Sequence, residues 1–404
     1  MSTLSTNRNS SFNVSLLWFG TAVSIAEILT GTFLAPLGML NGFLAIITGH
    51  LIGGIILYLA GIIGANQRCS ASESINLSFG RFGSVTFSLL NTIQLIGWTS
   101  IMIIIGAQAF NKLAFTLWQI SDNTILWTII IGLTPCIWIF STKNSMSKLN
   151  KIVMFCLLLT SIYLGFSSVF STTVIAIPMD NSMSFGTAVE LNIAMCLSWM
   201  PVISDYTQTL KNPKTGTLAC ILAYCFGSSL MYTIGLGSAV HYATSDICDI
   251  FILSGLGIIS LLVILLSTVT TNFITITSSS ICLNHINHKL NLKYTALTIC
   301  IFSTLLAIFL SMEQYETFLY FIAATFAPLF AIAFSEHFFH NVNTSSNYLA
   351  IKNCILWLLG FIAYELLINY STFIGITVPI MLGIAVINIF INQLIRQAKL
   401  SVIK

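Results

Sequence analysis

The stretch 16–40, LLWFGTAVSIAEILTGTFLAPLGML, sets the terms for the whole chain. It is apolar and long enough to cross a bilayer, yet it carries a carboxylate, Glu27, and a Gly31-Thr32 pair. Counting from Leu16 at about 1.5 Å per helical residue puts Glu27 about 16 Å in, near the middle of a hydrocarbon layer about 30 Å thick. A charge at that depth is costly and by default faces a cavity or a partner. The segment therefore reads as a helix broken near Gly31-Thr32, one of two interrupted helices that build a midplane site.

The remaining residues leave no soluble alternative. Charged residues make up 7% of the chain against 56% hydrophobic, whereas soluble domains carry about 25% charge. Near-continuous apolar runs leave no room for a separate soluble domain, and a formal charge of +3 suggests no nucleic-acid partner. The ten cysteines are scattered through apolar runs, as at Cys136, Cys156 and Cys300. Without a CxxC pair or a His/Cys cluster they imply neither a metal centre nor a disulfide framework, and no cofactor is expected. The polar start, MSTLSTNRNSSFNV, lacks the apolar core of a cleaved signal peptide.

Twelve apolar segments can be drawn, near 16–40, 42–65, 84–111, 124–141, 151–172, 187–209, 216–241, 249–281, 294–311, 315–335, 350–369 and 372–395. With a cytoplasmic N-terminus, every Lys and Arg except Lys112 falls inside, while Asp122, Asp180, Asp246, Asp249, Glu313 and Glu316 fall outside. That asymmetry obeys the positive-inside rule and predicts a multi-pass protein of the cell (inner) membrane with both termini cytoplasmic. The link 66–83 holds SESINLSFGRFG, either a short interfacial helix or a solvated loop.

A second interrupted span lies at 187–209, TAVELNIAMCLSWMPVISDYTQT. Pro201 removes a backbone donor and clashes with the preceding turn, just after Ser198 and Trp199. Five spans separate it from the first broken helix, so it enters from the opposite leaflet. The expected fold is all-α, with twelve transmembrane helices as a five-plus-five inverted repeat and two further helices, helices 1 and 6 being broken. Its parts would be a cytoplasmic tail (1–15), a first repeat (16–172), a second repeat (187–335), helices 11 and 12 (350–395) and a second cytoplasmic tail (396–404).

Several side chains could carry chemistry within this frame. Glu27 either accepts from an amino-bearing substrate or takes part in proton coupling, or else it pairs with a polar group on a neighbouring helix. Ser24 shares its helical face. Asn91, Gln94 and Trp98 are spaced i, i+3, i+7 on helix 3. Gln94 offers a donor and an acceptor to the edge of a heterocycle and Trp98 a flat face, or both serve helix packing. In LLSTVTTNFITITSSS on helix 8, Ser267, Thr270 and Thr271 share one narrow arc. They suit a weakly held Na⁺, or simply bond back to their own helix. Asp205 reads as a structural or gating ion-pair member near Lys211. Glu190 and Glu365, near helix ends, read as snorkelling structural residues. His50 and His241 are isolated and receive no role.

These runs give the chain a specific likeness. SIAEILTGT on helix 1, Gln94 with Gly97-Trp98 on helix 3, SWMPVISDYTQTLKNPK out of helix 6 and Ser267–Asn272 on helix 8 resemble the nucleobase:cation symporter family 1. That family includes the cytosine, purine, allantoin and hydantoin permeases. Within it the SWMPVISDYT run with Glu27 is most similar to hydroxymethylpyrimidine transporters. The resemblance implies a LeuT-type fold, Na⁺-coupled uptake and alternating access. It places Na⁺ between helices 1 and 8, on the Thr270 and Thr271 hydroxyls, the Ser267 carbonyl and carbonyls near Gly20 and Val23. It stacks the heterocycle on Trp98, bonds it to Gln94 and the backbone of Cys196, Leu197, Ser198 and Trp199, and sets Asn272 at its edge or in support of the Na⁺ shell, while Ser24 and Glu27, from their own chemistry, complete the expected substrate set. Two departures stand out: the hydantoin permeases carry a tryptophan where this chain has Met195 or Cys196, and the cytosine permeases do not have Glu27.

The expected activity is thus secondary active symport of a pyrimidine-type heterocycle, hydroxymethylpyrimidine (a thiamin precursor) foremost, with Na⁺ as coupling ion. Cytosine or another nucleobase, or proton coupling through Glu27, is the alternative. The carrier is expected to work in the bilayer as a monomer. Intramembrane enzymes need a converging nucleophile and base or metal ligands, and no HExxH or GxSxG motif is present. A channel would need a continuous polar pore lining, whereas the polar residues here cluster at mid-depth.

Overall fold

The protein, as a computed structural model, is described over residues 8–120, 122–139, 143–170, 182–340, 347–370 and 372–403. Asp180 and Lys404, used above for topology, lie outside the described residues. Among the described residues nine helices are long and apolar enough to span a membrane, and two bent pairs pass the same test together. The remaining expected span is the shorter apolar helix Thr124–Ile139.

The first bent pair is α1 (Ser11–Ala22) and α2 (Ile25–Phe33), inclined by 52°. The break falls at Val23-Ser24 and not at Gly31-Thr32 as the sequence suggested. Ser24 is extended, and its hydroxyl accepts from the Ala26 N–H at 3.1 Å, so it opens a new helix as an N-cap. Gly31 instead stays helical and lets α2 touch its neighbour. A Cβ there would collide with the Tyr232 carbonyl, and one at Gly235 with the Ile28 carbonyl. Small residues at such points let two membrane helices approach backbone to backbone.

A short 3₁₀ turn leads into α3 (Gly38–Gln67). Next comes α4 (Ala71–Trp118), two helices joined at Gly80, whose φ of 65° only glycine adopts easily. Its first part makes most of the link 66–83 helical, opened by a capping box between Ser70 and Glu73. α5 (Thr124–Ile139) and α6 (Lys143–Phe170) complete the first half.

The second bent pair, α7 (Phe185–Leu197) and α8 (Met200–Thr207), is inclined by 42°. The break lies at Ser198-Trp199, with Pro201 in the first turn of α8 where its missing N–H costs nothing. α9 (Pro213–Tyr242) follows, then α10 (Ile247–Phe251) and α11 (Gly257–Ile286), joined by a π-turn with Gly255 and Gly257 at positive φ. α12 (Leu292–Phe309), α13 (Tyr315–Ser335), α14 (Asn347–Leu367) and α15 (Thr377–Ile403) end the chain.

Packing divides these elements into two groups. The two broken helices, α3 and α9 pack on one another, α1 and α2 along α9 and α3 along α7 and α8. In the other group α4 lies along α11, and α5 and α12 pack beside them. Ion pairs sit as the charge asymmetry requires. Lys112 meets Asp246 at 3.0 Å and Asp249 at 2.5 Å, all three expected outside. At the other end Arg68 donates to the carbonyls of Gln208 and Leu210.

Candidate substrate and ion site

The two breaks leave short lengths of backbone out of the helical ladder where the two groups of helices meet. At the first, the Val23 N–H bonds the carbonyls of Gly20 and Phe19, both at 3.2 Å. At the second, the Ser198 hydroxyl donates to the Met195 carbonyl at 2.6 Å. The Trp199 N–H donates to the Cys196 carbonyl at 3.2 Å.

Gln94, on α4, reaches this second break. Its Nε2 donates to the Ser198 carbonyl at 2.8 Å and to Asn91 Oδ1 at 3.4 Å, while its Oε1 is buried with no partner. Asn91 in turn donates to Cys282 Sγ on α11. Asn272 is fully buried, and neither its amide nitrogen nor its oxygen is bonded. The Trp199 indole N–H is likewise unpartnered, and its ring stands edge-on to Trp18, 5.6 Å between centroids. The Trp18 N–H also lacks a partner. A buried polar group without a partner is costly and rare in a finished core. Four side chains of this kind come from α1, α4, the α7/α8 break and α11.

Trp98 is only part-buried, and its ring meets Phe318 and Tyr315 of α13 edge-on at 5.4 and 6.0 Å. Tyr315 is bonded to Thr30 of α2 at 2.7 Å. On α11, Thr270 donates to the carbonyls of Leu266 and Ser267 at 3.0 and 3.1 Å, the back-bonding anticipated for a membrane helix. Its oxygen lone pairs stay available, as does the hydroxyl of the half-buried Thr271. The donors expected for Na⁺ are thus all neutral oxygens, the set a hard and weakly held cation takes.

Glu27 turns toward α9. It is 2% exposed, and its two oxygens accept from α9: Oε1 from Tyr224 at 3.2 Å and Oε2 from Ser228 at 2.7 Å. It sits three residues after the Ser24 cap, the spacing of a capping box, but turns its carboxylate to α9. Ser228 also lies 2.5 Å from His50 Nε2, which gives that histidine a partner the sequence did not reveal. Trp18, Tyr224 and Tyr315 were missed too. The only available signal for Trp18 and Tyr224 was an aromatic in a polar-flanked apolar run.

Two other carboxylates differ from the expectation. Asp205 accepts the Ala71 N–H at 2.8 Å, tying α8 to the start of α4, and its expected ion pair with Lys211 is not formed. Glu190 is 3% exposed and does not snorkel. It accepts from the backbone of Ile376 and Thr377 at 2.8 and 3.0 Å and from the hydroxyls of Thr377 and Tyr364, both at 2.5 Å. Glu365 is exposed. Among the described residues no group of three His, Cys, Asp or Glu side chains could hold a metal.

Solved structures of similar fold are numerous. A family model described as permease for cytosine/purines, uracil, thiamine and allantoin matches residues 3–400. Cytosine permease of Escherichia coli K12 is 26% identical over 246 residues, 60% of this chain and 57% of that protein's length. The chain therefore aligns with little more than half of the curated relatives it matches. The inward-facing conformation of Mhp1 superposes with a TM-score of 0.82 at 17% identity, covering 97% of this chain and 92% of that one. Mhp1 in a closed conformation with bromovinylhydantoin bound gives 0.74 at 17% identity, covering 97% and 94%. A Na⁺-coupled sialic acid symporter gives 0.65 at 14% identity, covering 95% and 89%.

Proposed function

The chain belongs to the cytosine/purine, uracil, thiamine and allantoin permease family, and from that premise we propose that it is a secondary active symporter importing a pyrimidine-type heterocycle. The observation that carries this reading is the Gln94–Ser198 junction. A long helix delivers a carboxamide to the broken backbone of another, leaves Gln94 Oε1 unpartnered, and has unpartnered Asn272 and indole N–H groups in the same set of helices.

A planar heterocycle with ring nitrogens and an exocyclic amine has the matching donors and acceptors along its edge, and its faces suit Trp98 and Trp199. Gln94, Trp98, Asn272 and the backbone of Cys196, Leu197, Ser198 and Trp199 are assigned to it, with Ser24 at the first break. Glu27 is not assigned to it, because its carboxylate is turned to α9. Hydroxymethylpyrimidine is the substrate proposed and cytosine the runner-up.

Na⁺ is the proposed coupling ion, held by the hydroxyls of Thr270 and Thr271 and the carbonyls of Ser267, Gly20 and Val23. Ions and substrate placed at breaks entered from opposite leaflets suit alternating access by rocking of one helix group against the other. The carrier is proposed to work as a monomer in the inner membrane, with both termini cytoplasmic.

Uptake of radiolabelled hydroxymethylpyrimidine into proteoliposomes tests the reading. Accumulation that collapses when the Na⁺ gradient is removed supports it. Equal accumulation driven by a proton gradient alone replaces Na⁺ with H⁺. Uptake of cytosine in preference to hydroxymethylpyrimidine moves the assignment to the runner-up.

A further inference from the structure

We propose that Glu27, Ser228 and His50 form a binding site for one proton, shared along a wire inside the helix group. The argument is a count of hydrogens. His50 Nδ1 lies 2.9 Å from the Ile46 carbonyl, which only accepts, so Nδ1 carries a hydrogen. That leaves Nε2, 2.5 Å from Ser228 Oγ, which lies in turn 2.7 Å from Glu27 Oε2.

Ser228 owns one hydroxyl hydrogen and has two close partners. If the hydroxyl donates to Glu27, Nε2 must donate to the serine, and the histidine is an imidazolium facing a carboxylate. If the hydroxyl donates to Nε2, Glu27 must donate to the serine and is a neutral acid. The two arrangements differ by a concerted shift of two hydrogens with no movement of heavy atoms. Both contain one proton more than a carboxylate and a neutral imidazole. Without that proton, two lone pairs would face each other across one of these short contacts, beside an anion with no cation.

The surroundings supply no other counter-charge. Glu27 and His50 are each 2% exposed and Ser228 is fully buried. The titratable groups that face them are Tyr224, Tyr232 and Cys225 of α9, Cys196 of α7 and Tyr315 of α13. None is a cation, and among the described residues no Lys or Arg pairs with Glu27. An uncompensated buried charge is strongly disfavoured, so the shared proton is what makes the wire tolerable. Because Gly31 and Gly235 bring α2 against α9, and Gly54 brings α3 against Cys225 of α9, the wire lies within one packed unit.

The proton count fixes the experiment. Once the wire is separated by unfolding, glutamate and histidine together hold no proton well above about pH 6.5. The folded wire holds one, so each pH unit there favours the unfolded form tenfold. The thermal midpoint of the purified carrier, with no substrate added, is expected to fall as pH rises from 7 toward 9. Glu27→Gln replaces the acid by an amide that donates to Ser228 without titrating. It is expected to fold and to flatten that slope. An infrared spectrum should show that Glu27→Gln removes a carboxylic-acid carbonyl band or, in the ion-pair arrangement, that His50→Gln removes imidazolium bands. Should Glu27→Gln fail to fold, Ser228→Ala cuts the wire and is expected to reduce the same slope. A wild-type slope retained in either variant, with neither band lost, overturns the proposal. Because no substrate or Na⁺ is involved, that failure would leave the transport assignment standing.

Discussion

Gln94 Nε2 donates to the backbone carbonyl of Ser198 at 2.8 Å, across 104 residues of sequence. The bond joins the intact helix α4 to the point where α7 gives way to α8. It holds the carboxamide plane in one orientation and aims its oxygen away from the backbone. A ligand donor meeting that oxygen finds it already desolvated, so little reorganisation opposes binding.

Replacing Gln94 by Leu removes both functions. The Ser198 carbonyl loses its donor and the heterocycle its acceptor. A lost hydrogen bond with a buried partner left unsatisfied costs about 1–3 kcal/mol, so the apparent KM for uptake should rise about tenfold or more. Competition binding with the labelled heterocycle checks this, and unchanged affinity would remove Gln94 from the site.

Thr270→Ala deletes one neutral oxygen from the proposed Na⁺ set while leaving the α11 backbone intact. The Na⁺ concentration for half-maximal uptake should rise about tenfold, equivalent to about 1.4 kcal/mol. Substrate affinity at saturating Na⁺ should change little. Thr277→Ala serves as control. Thr277 also bonds back to its own helix, at 2.8 and 2.9 Å, but lies two turns further on and should leave Na⁺ activation unchanged.

Gly31→Val tests how α2 is docked. A side chain there meets the Tyr232 carbonyl, which belongs to helical backbone and cannot rotate away. Overpacking of this kind costs about 1–3 kcal/mol. The thermal midpoint should fall, and because α2 carries the Glu27 wire, the pH slope of stability should weaken with it. A midpoint equal to wild type would show that α2 is not tightly seated.

The sequence made some of these features legible and hid others for physical reasons. Hydropathy and charge asymmetry revealed the spans, since both are averages over many residues. Pro201 marked the second break, because its ring disfavours a continuous helix, although Pro135 and Pro328 are carried inside α5 and α13. The first break was misplaced. Glycine serves equally as a helix breaker and as a contact point between helices, and only the neighbour, Tyr232, decides which. Glu27 was recognised as buried, but its partner lies 201 residues away and His50 a further link beyond. No periodicity in one helix can point to a residue on another.

Glu190 gives the clearest case of a carboxylate whose meaning depends wholly on a distant element. Thr377 opens α15, whose first backbone N–H groups have no partner within the helix. Glu190 of α7 supplies the missing acceptor from outside, bonding Ile376 and Thr377 through their backbone and holding the Tyr364 hydroxyl of α14 as well. Its charge also suits the positive end of the α15 dipole. Glu190→Gln keeps the size but removes the charge, and its amide nitrogen must either donate to the Tyr364 and Thr377 hydroxyls or face the backbone N–H groups of Ile376 and Thr377. Breaking charge-assisted bonds in a buried place costs about 1.5–3 kcal/mol each. The thermal midpoint should therefore drop by several degrees. Tyr364→Phe, which removes a single bond, should drop it less. Proteolysis near 371–376 should quicken in Glu190→Gln as the start of α15 loosens. The uptake KM should stay near wild type in any fraction that remains folded, because Glu190 lies outside the Gln94 and Thr270 sets. A raised KM with an unchanged midpoint would instead make Glu190 part of the transport site.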